Sequence, residues 1–198
     1  MTIFALSSGK GVAGIAVIRI SGSAAAEVVR SLTRKDLPQP RRAALRYLFD
    51  KQSETPIDRA LVLWLPGPQG FTGEDMAELH VHGGVAVIDG VLAAIADIPG
   101  CVPAEPGAFT RLAFEHGRLD LTEAEGVADL IAAETEAQRL QAVRQMQGAL
   151  GQIYENWRAD LVRALAYMEA ELDFVEEALP EDLFAHVLPS VTALADRL

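Results

Sequence analysis

The pattern of apolar residues changes once along this chain, near Leu119, and no two-residue alternation returns after it. Before that point the short runs IFAL, IAVIRI, ALRYLF, ALVLWL and MAELHVH predict strands. Helical stretches, AAAEVVRSL, VAVIDGVLAAIADI and AFTRLAFEHG, are interleaved with them. That mixed order predicts an α+β domain over residues 1–118. Beyond it Met146, Leu150, Ile153, Trp157, Leu161, Ala164, Met168 and Leu172 recur at steps of three and four. That spacing predicts a long amphipathic helix in an all-α segment, residues 119–198, whose apolar stripe needs a partner helix. Charge divides at the same place. Residues 1–118 hold 12 Lys or Arg and 12 Asp or Glu, whereas residues 119–198 hold 5 and 16. Bulk electrostatics therefore argue against autonomous nucleic-acid binding.

Local signals fill in the connections. Ser21-Gly22-Ser23 offers cap residues for the first helix. Pro38 and Pro40 mark a loop from Lys35 to Arg42, PGPQGFTGED reads as a surface loop, and CVPAEPG as a connection. Thr122–Glu125, TEAE, has the form of a capping box. Gly148 and Gly151 predict a break between two helices.

GKGVAG, Gly9 to Gly14, spells the dinucleotide fingerprint G-x-G-x-x-G, but the context is wrong. The β-branched segment IAVIRIS that follows is a strand, so no helix N-terminus is available to meet a phosphate. A glycine-rich connection between two strands is the better reading. If the segment is extended, Ile15, Val17 and Arg19 share one side.

Three polar groups share a face of MAELHVH: Glu78, His80 and His82. Adjacent same-face residues of one strand converge poorly on a metal ion, and no fourth ligand is evident. A polar pocket suits them better, with Glu78 accepting two hydrogen bonds from a flat donor edge; an exposed sheet face is the plainer alternative. Arg19, alone among aliphatic residues, is either exposed or held by a partner. Arg111 and Arg118 read as surface charges. No nucleophile–base or acid–base arrangement stands out, so no catalytic residue is assigned. Cys101 is the single cysteine, which rules out an intramolecular disulfide and suits a reducing cytoplasm. No secretory signal or membrane-spanning run is visible.

Several stretches in order, GVAGIAVIRISG, LWLPGPQGFTGEDMAELHVHGG, EPGAFTRLAFEHGRLDLTEAEGVADLIAAETEAQ and more loosely MEAELDFVEE, resemble the tRNA-modification GTPases of the MnmE (TrmE) family. The resemblance implies a folate-binding N-terminal domain like that of the glycine-cleavage T-protein, a mixed sheet with helices that forms a homodimer. A helical domain carrying an inserted GTPase domain would follow it. It further implies a 5-formyl-tetrahydrofolate-type ligand, a part in 5-carboxymethylaminomethyl-type modification of wobble uridine, an FAD-dependent MnmG-type partner, and tRNA met only through that complex. Residue by residue, Arg19 and Glu78 fall on the family's folate-associated positions. Arg118 falls where relatives often carry lysine, replacing a point charge by a planar fork.

The same resemblance also brings a departure. No G-x-x-x-x-G-K-[ST] occurs in these residues, nor the family's C-terminal cysteine-bearing tail, for which Cys101 cannot substitute. The expectation is an N-terminal portion that binds folate and dimerises. It would hydrolyse no GTP; GTP, Mg and K belong to the full-length family. Its unpaired helical stripe would leave the chain beyond about Glu177 poorly ordered. A T-protein-like aminomethyltransferase and a ligand-free dimerisation scaffold are the alternatives.

Overall fold

A computed structural model describes residues 1–9, 11–51, 53–173 and 183–196. They fall into two compact units, Met1–Leu119 and Asp120–Leu198. The first contains strands β1 (Thr2–Leu6), β2 (Ala13–Ser21), β3 (Ala44–Leu48), β4 (Asp58–Leu65), β5 (Met76–Gly83) and β6 (Cys101–Pro103), with helices α1 (Ala25–Thr33), α2 (Val85–Ala96) and α3 (Ala108–Glu115).

The six strands form one mixed sheet in the order β3-β4-β5-β2-β1-β6. All neighbours are antiparallel except β1 and β6. Alternation along each strand produces two unlike faces. Ala16, Ile18 and Ile20 of β2, Ala77, Leu79 and Val81 of β5, and Ala60, Val62 and Trp64 of β4 are buried in one core with Val28, Val29 and Leu32 of α1 and Ile88, Val91 and Ile95 of α2. The intervening residues, Ile15, Val17 and Arg19, Glu78 and His80, and Leu61 and Leu63, make up the other face, where burial is incomplete.

The GKGVAG stretch lies in the hairpin between β1 and β2, and its described residues are exposed; Lys10 lies outside them. CVP, expected as part of a connection, instead forms edge strand β6, because its backbone has a free partner along β1. Helix α1 is not capped by Ser21 or Ser23. Its N-cap is Ala24, and the Ala24 amide donates to Thr2 Oγ1 (2.8 Å), so a side chain from β1 does the capping from a distance.

The second unit holds α4 (Leu121–Ala132), α5 (Glu136–Met146), α6 (Ala149–Asp173) and α7 (Leu183–Ala195). The capping box lies two residues earlier than expected. Asp120, not Thr122, accepts from the Glu123 amide (2.7 Å), and Glu123 accepts from the Asp120 amide (2.8 Å). A second box, Thr135 with Gln138, starts α5. Gly126 of α4 meets the Met146 backbone so closely that a Cβ would lie 2.6 Å from its nitrogen, which sets how tightly α4 and α5 approach. The glycine break falls at Gly148 (φ +80°), while Gly151 lies inside α6. Along the apolar stripe of α6, Ala164 is buried and Leu161 remains half exposed. Residues 174–182, which include part of MEAELDFVEE, lie outside the described residues. Of the stretch beyond Glu177 expected to be poorly ordered, most is described, and Leu183–Ala195 forms helix α7.

Candidate functional site

The site grows from one rung of the sheet. Register places Ala5, Arg19, Glu78 and Leu63 side by side across β1, β2, β5 and β4, all on the face away from α1 and α2. Arg19 Nε and Nη2 both donate to Glu78 Oε1, at 3.0 and 2.8 Å. The other oxygen, Oε2, lies 3.3 Å from His80 Nε2, a longer and weaker contact. The two side chains are 29% and 18% exposed, so the pair is shielded enough to matter yet open to a ligand. The rings of Phe71 and Phe109 stand 5.6 and 5.7 Å from the guanidinium carbon, within cation–π range.

Phe71 belongs to the loop between β4 and β5, which is bonded down rather than free. Ser21 Oγ donates to Glu74 Oε2 (3.1 Å). Its single proton thus spent, the 2.7 Å contact with Thr72 Oγ1 requires Thr72 to be the donor. Thr72 Oγ1 accepts in turn from the Glu74 amide, and Thr72 is fully buried. The Gly67 amide donates to Asp75 Oδ1 (2.9 Å), and Gly67-Pro68 is a cis peptide. The turn after α3 closes on the same loop: His116 Nδ1 donates to the Thr72 carbonyl at 2.7 Å. Gly73 (φ +81°) leaves room for the Arg118 stem, whose Cγ lies 3.4 Å from where a Cβ would stand. Arg118 is exposed.

Of the residues singled out from sequence, then, Arg19 and Glu78 meet directly. Arg118 reaches the loop whose Phe71 lies against Arg19. His82 goes elsewhere: its amide donates to Asp58 Oδ2 (2.8 Å) and its Nδ1 lies 2.7 Å from Asp58 Oδ1. Glu78 is therefore flanked by one imidazole, not two. Burial opposes ionisation of Asp58, but hydrogen bonds from His82 and from the Arg59 amide outweigh it and hold the carboxyl below its ordinary value. A depressed carboxyl stabilises the fold above its unfolded value and loses that contribution as pH falls through the folded one. Between about pH 5 and 3, Asp58→Asn should therefore lose less stability than the wild type, by about 1–2 kcal/mol in urea titrations. Parallel pH profiles would contradict the role given to this pair.

A cavity of about 700 Å³ opens between β1, α2 and the segment before α3. It shares Ala5 and Phe109 with the surroundings of the Arg19 rung, while Arg19, Glu78 and Phe71 are not among its lining residues. Its other walls are mostly apolar, Phe4, Leu6, Leu92 and Pro103 among them, with Ser7 and Glu105 as polar members. A cation near two rings and a carboxylate with one oxygen weakly engaged are chemically suited to a flat heteroaromatic molecule with a donor edge; the cavity meets them through Phe109.

The family described as GTP-binding protein TrmE N-terminus matches residues 2–118. The chain belongs to that family. The MnmE helical domain matches residues 121–198. Among similar proteins, the tRNA modification GTPase MnmE of Parvibaculum lavamentivorans is 56% identical over 193 residues, covering 98% of this chain and 44% of the relative. The mitochondrial 5-taurinomethyluridine-[tRNA] synthase subunit GTPB3 of Homo sapiens is 60% identical over 177 residues, covering 89% and 36%. The MnmE of Methylobacterium sp. is 59% identical over 176 residues, covering 89% and 40%. The chain thus spans less than half the length of these relatives.

In this TrmE-family unit, sequence reasoning missed Phe71, Phe109 and the Ser21–Thr72–Glu74 bonds. The one available signal was a phenylalanine inside an otherwise polar, glycine-rich loop, which needs a reason to be there. Among the described residues no helix is long and apolar enough to cross a membrane, and no group of three or more His, Cys, Asp or Glu could hold a metal ion.

Proposed function

We propose that this chain is the N-terminal portion of a tRNA-modification GTPase whose first unit binds a reduced folate of the 5-formyl-tetrahydrofolate type. The observation that carries the reading is the part-buried Arg19–Glu78 pair with the rings of Phe71 and Phe109 within cation–π range of the guanidinium; Phe109 also lines the cavity of about 700 Å³. The pterin's amino-pyrimidine edge presents two parallel donors, which Glu78 is suited to accept. Arg19 and Arg118 supply positive charge for the ligand's carboxylates, and the aromatic rings supply stacking surface.

Homodimerisation is part of the same reading. Ile15, Leu45, Tyr47 and Leu61 are exposed apolar side chains on the open face of the sheet, an arrangement that suits a second copy. The finer expectations, wobble-uridine modification in the cytoplasm and an FAD-dependent MnmG-type partner, rest on the resemblance above; the names of the relatives support tRNA modification alone.

Thermal denaturation tests the ligand. A hundredfold excess of 5-formyl-tetrahydrofolate over its Kd should stabilise the chain by about 2.7 kcal/mol, raising the melting midpoint by about 10 °C. GTP with Mg should raise it not at all. No shift with the folate would overturn the reading.

A further inference from the structure

The neutral charge of residues 1–118 conceals a division. Residues 30–59 carry 8 Lys or Arg against 4 Asp or Glu, and the excess acid of the unit lies elsewhere. These residues run from the end of α1 through edge strand β3 to the start of β4. Hydrogen bonds hold the segment together: Phe49 N donates to the Leu32 carbonyl, and Arg41 N to the Trp64 carbonyl.

Three of the four acids are already engaged. Glu54 pairs with Arg34, Asp58 with His82, and Asp50 accepts from the Ser53 amide. The cations are not matched to them. Arg34 also bonds the Asp50 and Ser53 carbonyls, and Arg59 stacks on Tyr47. Among the described residues Arg41, Arg42 and Arg46 have no acid partner. Arg46 is half-buried, and its Nε is buried without an acceptor. A five-residue strand is roughly 17 Å long, so the patch follows one edge of the sheet rather than a point.

We infer that the β3 edge, centred on Arg41, Arg42 and Arg46, is a contact surface for the phosphate backbone of RNA. Arginine-rich, unpaired charge along a rigid edge fits a polyanion, whose neutralised phosphates release counterions. An acidic protein is the competing occupant. RNA is favoured because the relatives named above are tRNA-modifying proteins, and the inference rests on that part of the proposed function, not on folate. It also departs from the expectations that tRNA is met only through the complex and that bulk charge opposes autonomous nucleic-acid binding: the excess acid lies in residues 119–198, whereas the contact is set by the local basic segment 30–59. Charges on an edge strand serve in addition to block strand pairing, and that role alone predicts aggregation when they are removed, with no change in RNA binding.

The test is fluorescence anisotropy of a labelled, unmodified tRNA transcript titrated with the full 198-residue chain. Arg41→Glu/Arg42→Glu should weaken binding at least tenfold and make the logarithmic salt dependence shallower by about 2. Arg111→Glu, remote in sequence, should leave both unchanged. The double variant should keep its folate response and Glu78→Gln its tRNA affinity, so failure of one site is separable from failure of the other. Absent binding, or binding indifferent to the double substitution, overturns the inference. So does equal, equally sensitive binding of polyglutamate.

Discussion

Gly22→Ala should lower the stability of the first unit by about 3 kcal/mol, a fall of about 12 °C in melting midpoint. Two costs coincide at this position. Its φ of +131° disfavours any side chain, and a Cβ would stand 2.6 Å from the Met1 carbonyl oxygen and Thr2 Oγ1, and 2.7 Å from Thr2 Cα. The obstructing atoms are not the tip of a flexible chain. Thr2 is buried, its amide donates to the Gly100 carbonyl, it pairs with Cys101 across the β1–β6 ladder, and its hydroxyl receives the Ala24 amide at the start of α1. Moving Thr2 therefore disturbs the parallel edge and uncaps a helix together. A fall under about 4 °C would mean that the first residues of β1 move aside at little cost.

Glu78→Gln is the second large effect, and it acts on binding. Glutamine preserves size and one oxygen acceptor but presents a donor where the carboxylate has Oε1 or Oε2. Arg19 loses its counter-charge, and the proposed ligand edge loses one of two acceptors. The expected loss is about 1–3 kcal/mol in folate affinity, roughly 5- to 150-fold. The fold should tolerate the change, because a partly exposed arginine can turn to solvent.

How much of this was legible beforehand depends on the range of the contact. Ile15, Val17 and Arg19 alternate visibly, and so do Glu78, His80 and His82, so their shared faces follow from strand periodicity. That Arg19 and Glu78 would meet does not follow, since β2 and β5 are neighbours only through a non-consecutive pairing. Their family positions named both residues without explaining why they belong together. Phe71 was hidden because a polar, glycine-rich loop reads as surface until its bonds to Ser21 are known.

Two local errors share another cause. The stretch DLTEAE contains overlapping boxes, Asp120 with Glu123 and Thr122 with Glu125, and propensity hardly separates them. The chain enters the helix at the first, where Asp120 also accepts from Thr122 Oγ1. Three-residue β6 carries too little pattern for any periodicity to register, and it exists because β1 leaves an edge to pair with.

The most direct measurement is calorimetric titration of the purified chain with 5-formyl-tetrahydrofolate, run beside Glu78→Gln. Saturable binding that the substitution weakens by at least fivefold is the predicted result. Absent binding by a folded wild-type chain, or equal affinity of the two proteins, would contradict the claim that the Arg19–Glu78 pair is a folate receptor.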